Sequence, residues 1–100
     1  MRLYVALLFT FIQINAQSGI ISGFISDSSS AEALIGANVI LQETGQGMAT
    51  DINGYYIIQD IAPGDYVLMV SYVGFKLKKE KLKISDGQSI KLDISLSEDV

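Results

Sequence analysis

The run Ile90-Lys91-Leu92-Asp93-Ile94-Ser95-Leu96 decides the fold class. Its apolar residues occupy every second position, so an extended backbone sends Ile90, Leu92, Ile94 and Leu96 to one face and Lys91, Asp93 and Ser95 to the other. The same period of two recurs upstream. Ala37, Val39 and Leu41 form an inward set with Asn38 and Gln42 facing away, and Ile21, Gly23 and Ile25 begin the series near Gly19. After residue 16 no window of a dozen residues carries a helical stripe. The stretch 65–73 is apolar on both parities and rich in β-branched and aromatic residues, which predicts a central strand covered on both faces.

Turn residues punctuate these runs at short, regular spacing, the pattern of an antiparallel sandwich and not of βαβ units. Asn53-Gly54 predicts a type I′ hairpin turn, since both residues tolerate positive φ. Pro63-Gly64 predicts a type II turn, Gly74 separates the central strand from the next, and Asp86-Gly87 closes that one. The reading is an all-β, seven-stranded antiparallel Greek-key sandwich, with strands at about 19–26, 36–43, 47–51, 55–59, 65–73, 75–84 and 89–97. In the sixth, Phe75 and Leu77 share one parity while Leu82 and Ile84 take the other. The shift predicts a β-bulge or bend near residues 78–80, or a crossing from one sheet edge to another.

The chain opens differently. Met1 and Arg2 precede Leu3 to Ile14, an apolar run broken only by Thr10 and Gln13, and Ile14-Asn15-Ala16 ends on a small residue. This is the pattern of an export signal, with cleavage expected between Ala16 and Gln17. The run falls well short of the roughly 20 apolar residues that span a bilayer, so no direct membrane span is expected once the signal is removed. The sequence holds no cysteine, which excludes both a lipid-acylated first residue and any disulfide. A sandwich over 17–100 must therefore rest on packed apolar faces, with a stability of roughly 5–10 kcal/mol.

The net charge is −4, from seven basic and eleven acidic residues. Nucleic acid is an unsuitable partner for such a balance. All the lysines nonetheless fall between Lys76 and Lys91.

Taken in order, Gly23-Phe24-Ile25-Ser26-Asp27, Glu32-Ala33-Leu34-Ile35-Gly36-Ala37-Asn38-Val39, Thr50-Asp51-Ile52-Asn53-Gly54-Tyr55-Tyr56, Pro63-Gly64-Asp65-Tyr66 and Ser71-Tyr72-Val73-Gly74-Phe75 resemble the carboxypeptidase-regulatory-like domain over about 19–96. The resemblance implies a sandwich similar to transthyretin, of the kind found on the periplasmic side in front of the plug of TonB-dependent outer-membrane receptors. It also implies partners: the plug and barrel of a longer chain, and the energising machinery. Two loops depart from the family pattern. Ser29-Ser30-Ala31-Glu32-Ala33 lacks the usual turn glycine and proline, which predicts an open loop, and Glu43-Thr44-Gly45-Gln46-Gly47 reads as flexible. Leu96-Ser97-Glu98-Asp99-Val100 looks like the start of the passage toward a plug, so the chain reads as a fragment, a truncated frame or a stand-alone remnant.

No catalytic chemistry is expected. With no histidine or cysteine, neither a zinc peptidase site nor a Ser-His or Cys-His pair can be assembled, and no cofactor is implied. Asp51-Ile52-Asn53-Gly54 lacks the further ligands of a calcium loop and reads as a turn in which Asp51 hydrogen-bonds the backbone. Lys76, Lys78, Lys79, Lys81 and Lys83 read first as an edge strand guarded against pairing, and second as a docking stripe for an acidic partner or anionic lipid. Tyr55, Tyr56, Tyr66, Tyr72 and Phe75 would suit a sugar platform, but alternation turns Tyr56, Tyr66 and Tyr72 inward, leaving core packing as their task. The alternatives to a receptor module are a secreted sandwich that binds protein or carbohydrate, and an accessory domain of an exported peptidase.

Overall fold

The computed structural model describes residues 17–100. The export segment, with Ala16 at its expected cleavage site, lies outside the described residues. Eight strands form two facing sheets: β1 (Gly19–Asp27), β2 (Asn38–Leu41), β3 (Gly47–Ala49), β4 (Tyr55–Ile61), β5 (Gly64–Ser71), β6 (Lys78–Ile84), β7 (Ser89–Lys91) and β8 (Ile94–Leu96). The first sheet has β1 at its centre, β4 antiparallel on one side, and β7 and β8 in line on the other. The second runs β3-β2-β5-β6, antiparallel throughout. One sheet is thus three columns wide and the other four, with β3 lying against β4.

Alternation places the core where the sequence put it. Ile21, Ile25, Val39, Leu41, Leu68 and Leu96 are fully enclosed between the sheets, joined by Tyr56 and Ile61. Removing apolar surface from water at about 25 cal/mol per Å² is the main force holding the sheets face to face, with no disulfide to assist it.

Several expectations need correction. The predicted strand at 89–97 is two short ones, and both run parallel to β1. Between them the Leu92 N–H donates to the Ser22 carbonyl and the Asp93 carboxylate accepts the Phe24 N–H, so the interruption is itself bonded to β1. A Cβ on Gly23 would collide with the Leu92 carbonyl, which explains why glycine holds an inward position in the sheet centre. Tyr56, directly opposite Gly23, extends over that vacant space and donates its hydroxyl to the same Leu92 carbonyl at 2.6 Å.

The sixth strand carries no bulge. Pairing with β5 is unbroken from Lys78 to Ile84, and the parity change comes from the crossing: Phe75 bridges Glu98 beside β8, and the chain then passes to the other sheet. The irregularity lies in β4 instead, where Ile58 faces Ile21 but Ile61 faces Gly19. Gln59 and Asp60 thus oppose one residue, and Asp60 takes the left-handed conformation at φ 58° that aspartate tolerates better than most residues. Nor is β5 covered on both faces. It is central in its sheet, but Val67 and Met69 are half-exposed on the outer side and Val73 is 95% exposed.

Two turns also differ from expectation. Residues 50–54 do not join a hairpin, since β3 and β4 belong to different sheets. Only Gly54 has positive φ there, so the type I′ turn is replaced by a corner built on Asp51, whose carboxylate accepts the N–H groups of Asn53 and Tyr55. Pro63-Gly64 likewise crosses between sheets. Gly64 is close to fully extended and opens β5 opposite Ile84, so no type II turn forms, and Tyr66 stabilises the corner by donating its hydroxyl to the Ala62 carbonyl. Gly74 and Gly87 do turn the chain in the left-handed region. The serine-rich loop is closed and not open. Asp27 accepts the Ser29 N–H and hydroxyl, bonds that lower its pKa, and Ala31 occupies the left-handed position at φ 62°.

Candidate interaction surfaces

Among the described residues no three carboxylates gather in a way that could hold a metal ion. Asp51 spends its carboxylate on two main-chain N–H groups of its own turn. The residue with the most shifted proton affinity is Tyr56, whose pKa is raised by burial and then by the Asp93 carboxylate, so its hydroxyl stays protonated and serves as a structural donor.

The lysines occupy one flank. β6 pairs with β5 alone, and among the described residues nothing pairs with its outer edge. Lys79, Lys81 and Lys83 face outward from the sheet, opposite Met69, Val67 and Asp65. Lys79 and Lys81 are thus cross-strand neighbours of the half-exposed Met69 and Val67, and all three lysines are exposed to water. Lys78 has the other parity and its Nζ lies 3.5 Å from the Glu80 carboxylate, both groups in solvent. Lys76 precedes the strand and donates its main-chain N–H to Ser97. Five lysines therefore share a flank, but only three share a face.

The aromatic residues are divided. Tyr56 and Tyr66 are buried, and Tyr72 packs edge-on against Phe75 with ring centroids 5.5 Å apart at the margin of the core. Tyr55 faces outward from the first sheet against Phe24, at 5.2 Å. No aromatic platform arises from the five predicted rings, although Phe24, 49% exposed, joins Tyr55 in a small outer pair.

A further surface had no signal in the period-two pattern, because it is carried by turns. Ile35, Ile52 and Val73 stand at three loop tips on one end of the sandwich, and Leu77 enters β6 beside them. Thr50 fixes the first tip, accepting the Ala37 N–H at 2.9 Å and donating its hydroxyl to Leu34, while the Gly36 N–H donates to the Thr50 carbonyl. Leu34 is thereby turned into the core and Ile35 out of it. The Asp51 carboxylate fixes the second tip. The third is closed by Phe75 N–H donating to Tyr72, and is tied to the end of the chain by Asp99 N–H donating to Gly74.

A family model for the CarboxypepD_reg-like domain matches residues 21–100, nearly every described residue. The chain belongs to this family. CarboxypepD_reg-like relatives with curated descriptions include TonB-dependent receptor P26 of Formosa agariphila, 35% identical over 92 residues, which is 92% of this chain and 8% of the receptor. TonB-dependent receptor P3 of the same organism is 27% identical over 96 residues, covering 96% of this chain and 10% of that one. The chain therefore spans a tenth or less of the length of either receptor. Among solved structures, the sandwich is similar to the Bacillus cereus major pilin subunit BcpA, with TM-score 0.68 and 23% identity over 83% of this chain and 31% of the pilin. It is also similar to the Bacillus anthracis TIE protein, with TM-score 0.69 and 16% identity over 82% of this chain and 17% of that one. At such identities the likeness is one of fold. It places this CarboxypepD_reg-like domain among two-sheet β-sandwiches, as the alternating strands required.

Proposed function

We propose that this domain is a non-catalytic module at the N-terminal, periplasmic side of a TonB-dependent outer-membrane receptor, exported by residues 1–16 and released between Ala16 and Gln17. The observation that carries the reading is the match of 92% of this chain to a TonB-dependent receptor of which it represents only 8%. A small sandwich with no histidine or cysteine can assemble neither a histidine-ligated zinc site nor a Ser-His or Cys-His pair, which supports a non-catalytic role. Its contribution is a rigid body with surfaces, serving the plug and barrel of the same polypeptide and, through them, the energising machinery. The lysine flank in this reading keeps a free strand edge from pairing.

The test is biochemical fractionation with an epitope tag placed just after Gln17. The reading expects an outer-membrane polypeptide roughly ten times longer than this chain, with its N-terminus at Gln17. A tagged product of about the present size in the medium overturns it.

A further inference from the structure

Among the described residues, the exposed large apolar side chains borne by loops lie at one end of the sandwich. Ile35 is 55% exposed, Ile52 76%, Val73 95% and Leu77 57%; the turns Leu34-Ile35-Gly36 and Tyr72-Val73-Gly74 contain no charge, and the one acid of the Ile52 turn, Asp51, has its carboxylate bonded to the main-chain N–H groups of Asn53 and Tyr55. The connections at the opposite end, Glu43-Thr44-Gly45-Gln46, Ala62-Pro63 and Ser85-Asp86-Gly87-Gln88, expose no large aliphatic or aromatic side chain, Ala62 and Pro63 being the apolar residues among them. A fold does not need this asymmetry, because neither set of tips is in the core. The tips are also held rigidly by Thr50, by Asp51 and by the Tyr72–Phe75 turn, so little ordering remains to be done on contact.

The tips are linked in space. Thr50 ties the turn at Ile35 to the strand end that leads into Ile52, and a shallow groove lined by Gly36, Asn38, Ser71, Tyr72 and Val73 joins the turn at Ile35 to that at Val73. Residues 97–99 run along this same end: Lys76 N–H donates to Ser97, Phe75 bridges Glu98, and Asp99 N–H donates to Gly74. Polypeptide continuing past Val100 would leave beside Val73, whereas Gln17 sits at the far end against Gly87.

We infer that this apolar end docks against the part of the receptor polypeptide that follows the domain, with Ile52 and Val73 as its anchors. The inference rests on the receptor reading above and names the partner within it. Two observations select the occupant: the receptors this chain matches are about ten times its length, and the apolar tips surround its C-terminal exit. Preorganised apolar tips beside a tethering chain are suited to a contact whose effective concentration is high and whose area is small.

The test is photo-cross-linking in cells expressing the full polypeptide, with benzoylphenylalanine installed in turn at Val73, at Ile52 and, as control, at Gln88. Cross-links from Val73 and Ile52 to a downstream fragment of the same polypeptide, separable after protease cleavage, and none from Gln88, are the expected result. Val73→Ser in the Ile52-probe background should reduce its cross-link roughly tenfold, with the melting temperature of the isolated 17–100 chain unchanged. Equal labelling from both ends, or a full-length receptor with no cross-link from either tip, overturns the inference while leaving the receptor reading intact. A tagged product no longer than this chain overturns both.

Discussion

The two flanks of the sandwich are closed in opposite ways. On one, β3 lies over β4 and side chains seal the seam: the Gln46 amide donates to the carbonyls of Gln59 and Asp60 at 3.2 and 3.1 Å, and Ile57 N–H points at the Met48 sulfur at 3.3 Å. The bulge at Gln59-Asp60 turns its carbonyls out of the ladder, and Gln46 satisfies them. On the other flank the four-strand sheet overhangs the three-column one. There the inward residues Glu80 and Leu82 of β6 remain half-exposed, and only Ile84, at the end of the strand beside Gly19 of β1, is buried. The difference teaches that a free edge can be managed by covering it or by charging it. Residues 43–47, which the sequence suggested were flexible, do the covering, while the uncovered edge is the strand that carries Lys79, Lys81 and Lys83.

The largest expected effect tests whether β7 and β8, the edge of the narrower sheet on that flank, are held by the close approach of Leu92 to Gly23. Gly23→Val drives a side chain into the Leu92 carbonyl and displaces the Tyr56 ring, so β7 and β8 should detach. We expect a loss of about 3 kcal/mol in urea unfolding; a loss below a third of that would mean the flank is held elsewhere. Tyr56→Phe is gentler. It removes the bond to Leu92 and should cost about 1 kcal/mol. The same substitution has a pH signature. Because the folded-state pKa of Tyr56 lies above its unfolded value, the unfolded chain loses its proton first as pH rises, so stability present at neutral pH should decline from about pH 10 upward. Melting curves of the phenylalanine variant should show a shallower alkaline decline.

On the covered flank, Gln46→Ala exposes the bulge carbonyls to water and should cost about 0.5–1 kcal/mol, with faster hydrogen exchange in β3 and β4. Exchange accelerating at β6 instead would break the comparison. The smallest change in stability belongs to Lys79→Gln with Lys81→Gln and Lys83→Gln. Unfolding free energy should move by no more than about 0.5 kcal/mol, while light scattering at high protein concentration rises. Unchanged scattering would remove the charge-guard explanation for this edge.

How much was legible follows from distance along the chain. Ile21, Ile25, Val39, Leu41, Ile94 and Leu96 were readable as core because burial on a strand depends on parity, which a sequence displays directly. The lysine edge was legible for the same reason. The turn at Asn53-Gly54 was misread because its dipeptide carries no mark of which sheet each flanking strand joins. The apolar end went unread because Ile35, Ile52 and Val73 are far apart in sequence and each, taken singly, resembles an ordinary turn residue.

By itself the sequence determined that the chain forms a two-sheet β-sandwich and which side chains fill it, since period and turn residues are local properties. Tertiary structure alone decided which strands became neighbours, that the last one splits to run parallel beside β1, that the bulge belongs to β4, and that three apolar tips meet at one end. These depend on where the chain crosses between sheets, and a crossing is chosen by the joint packing of all the faces at once.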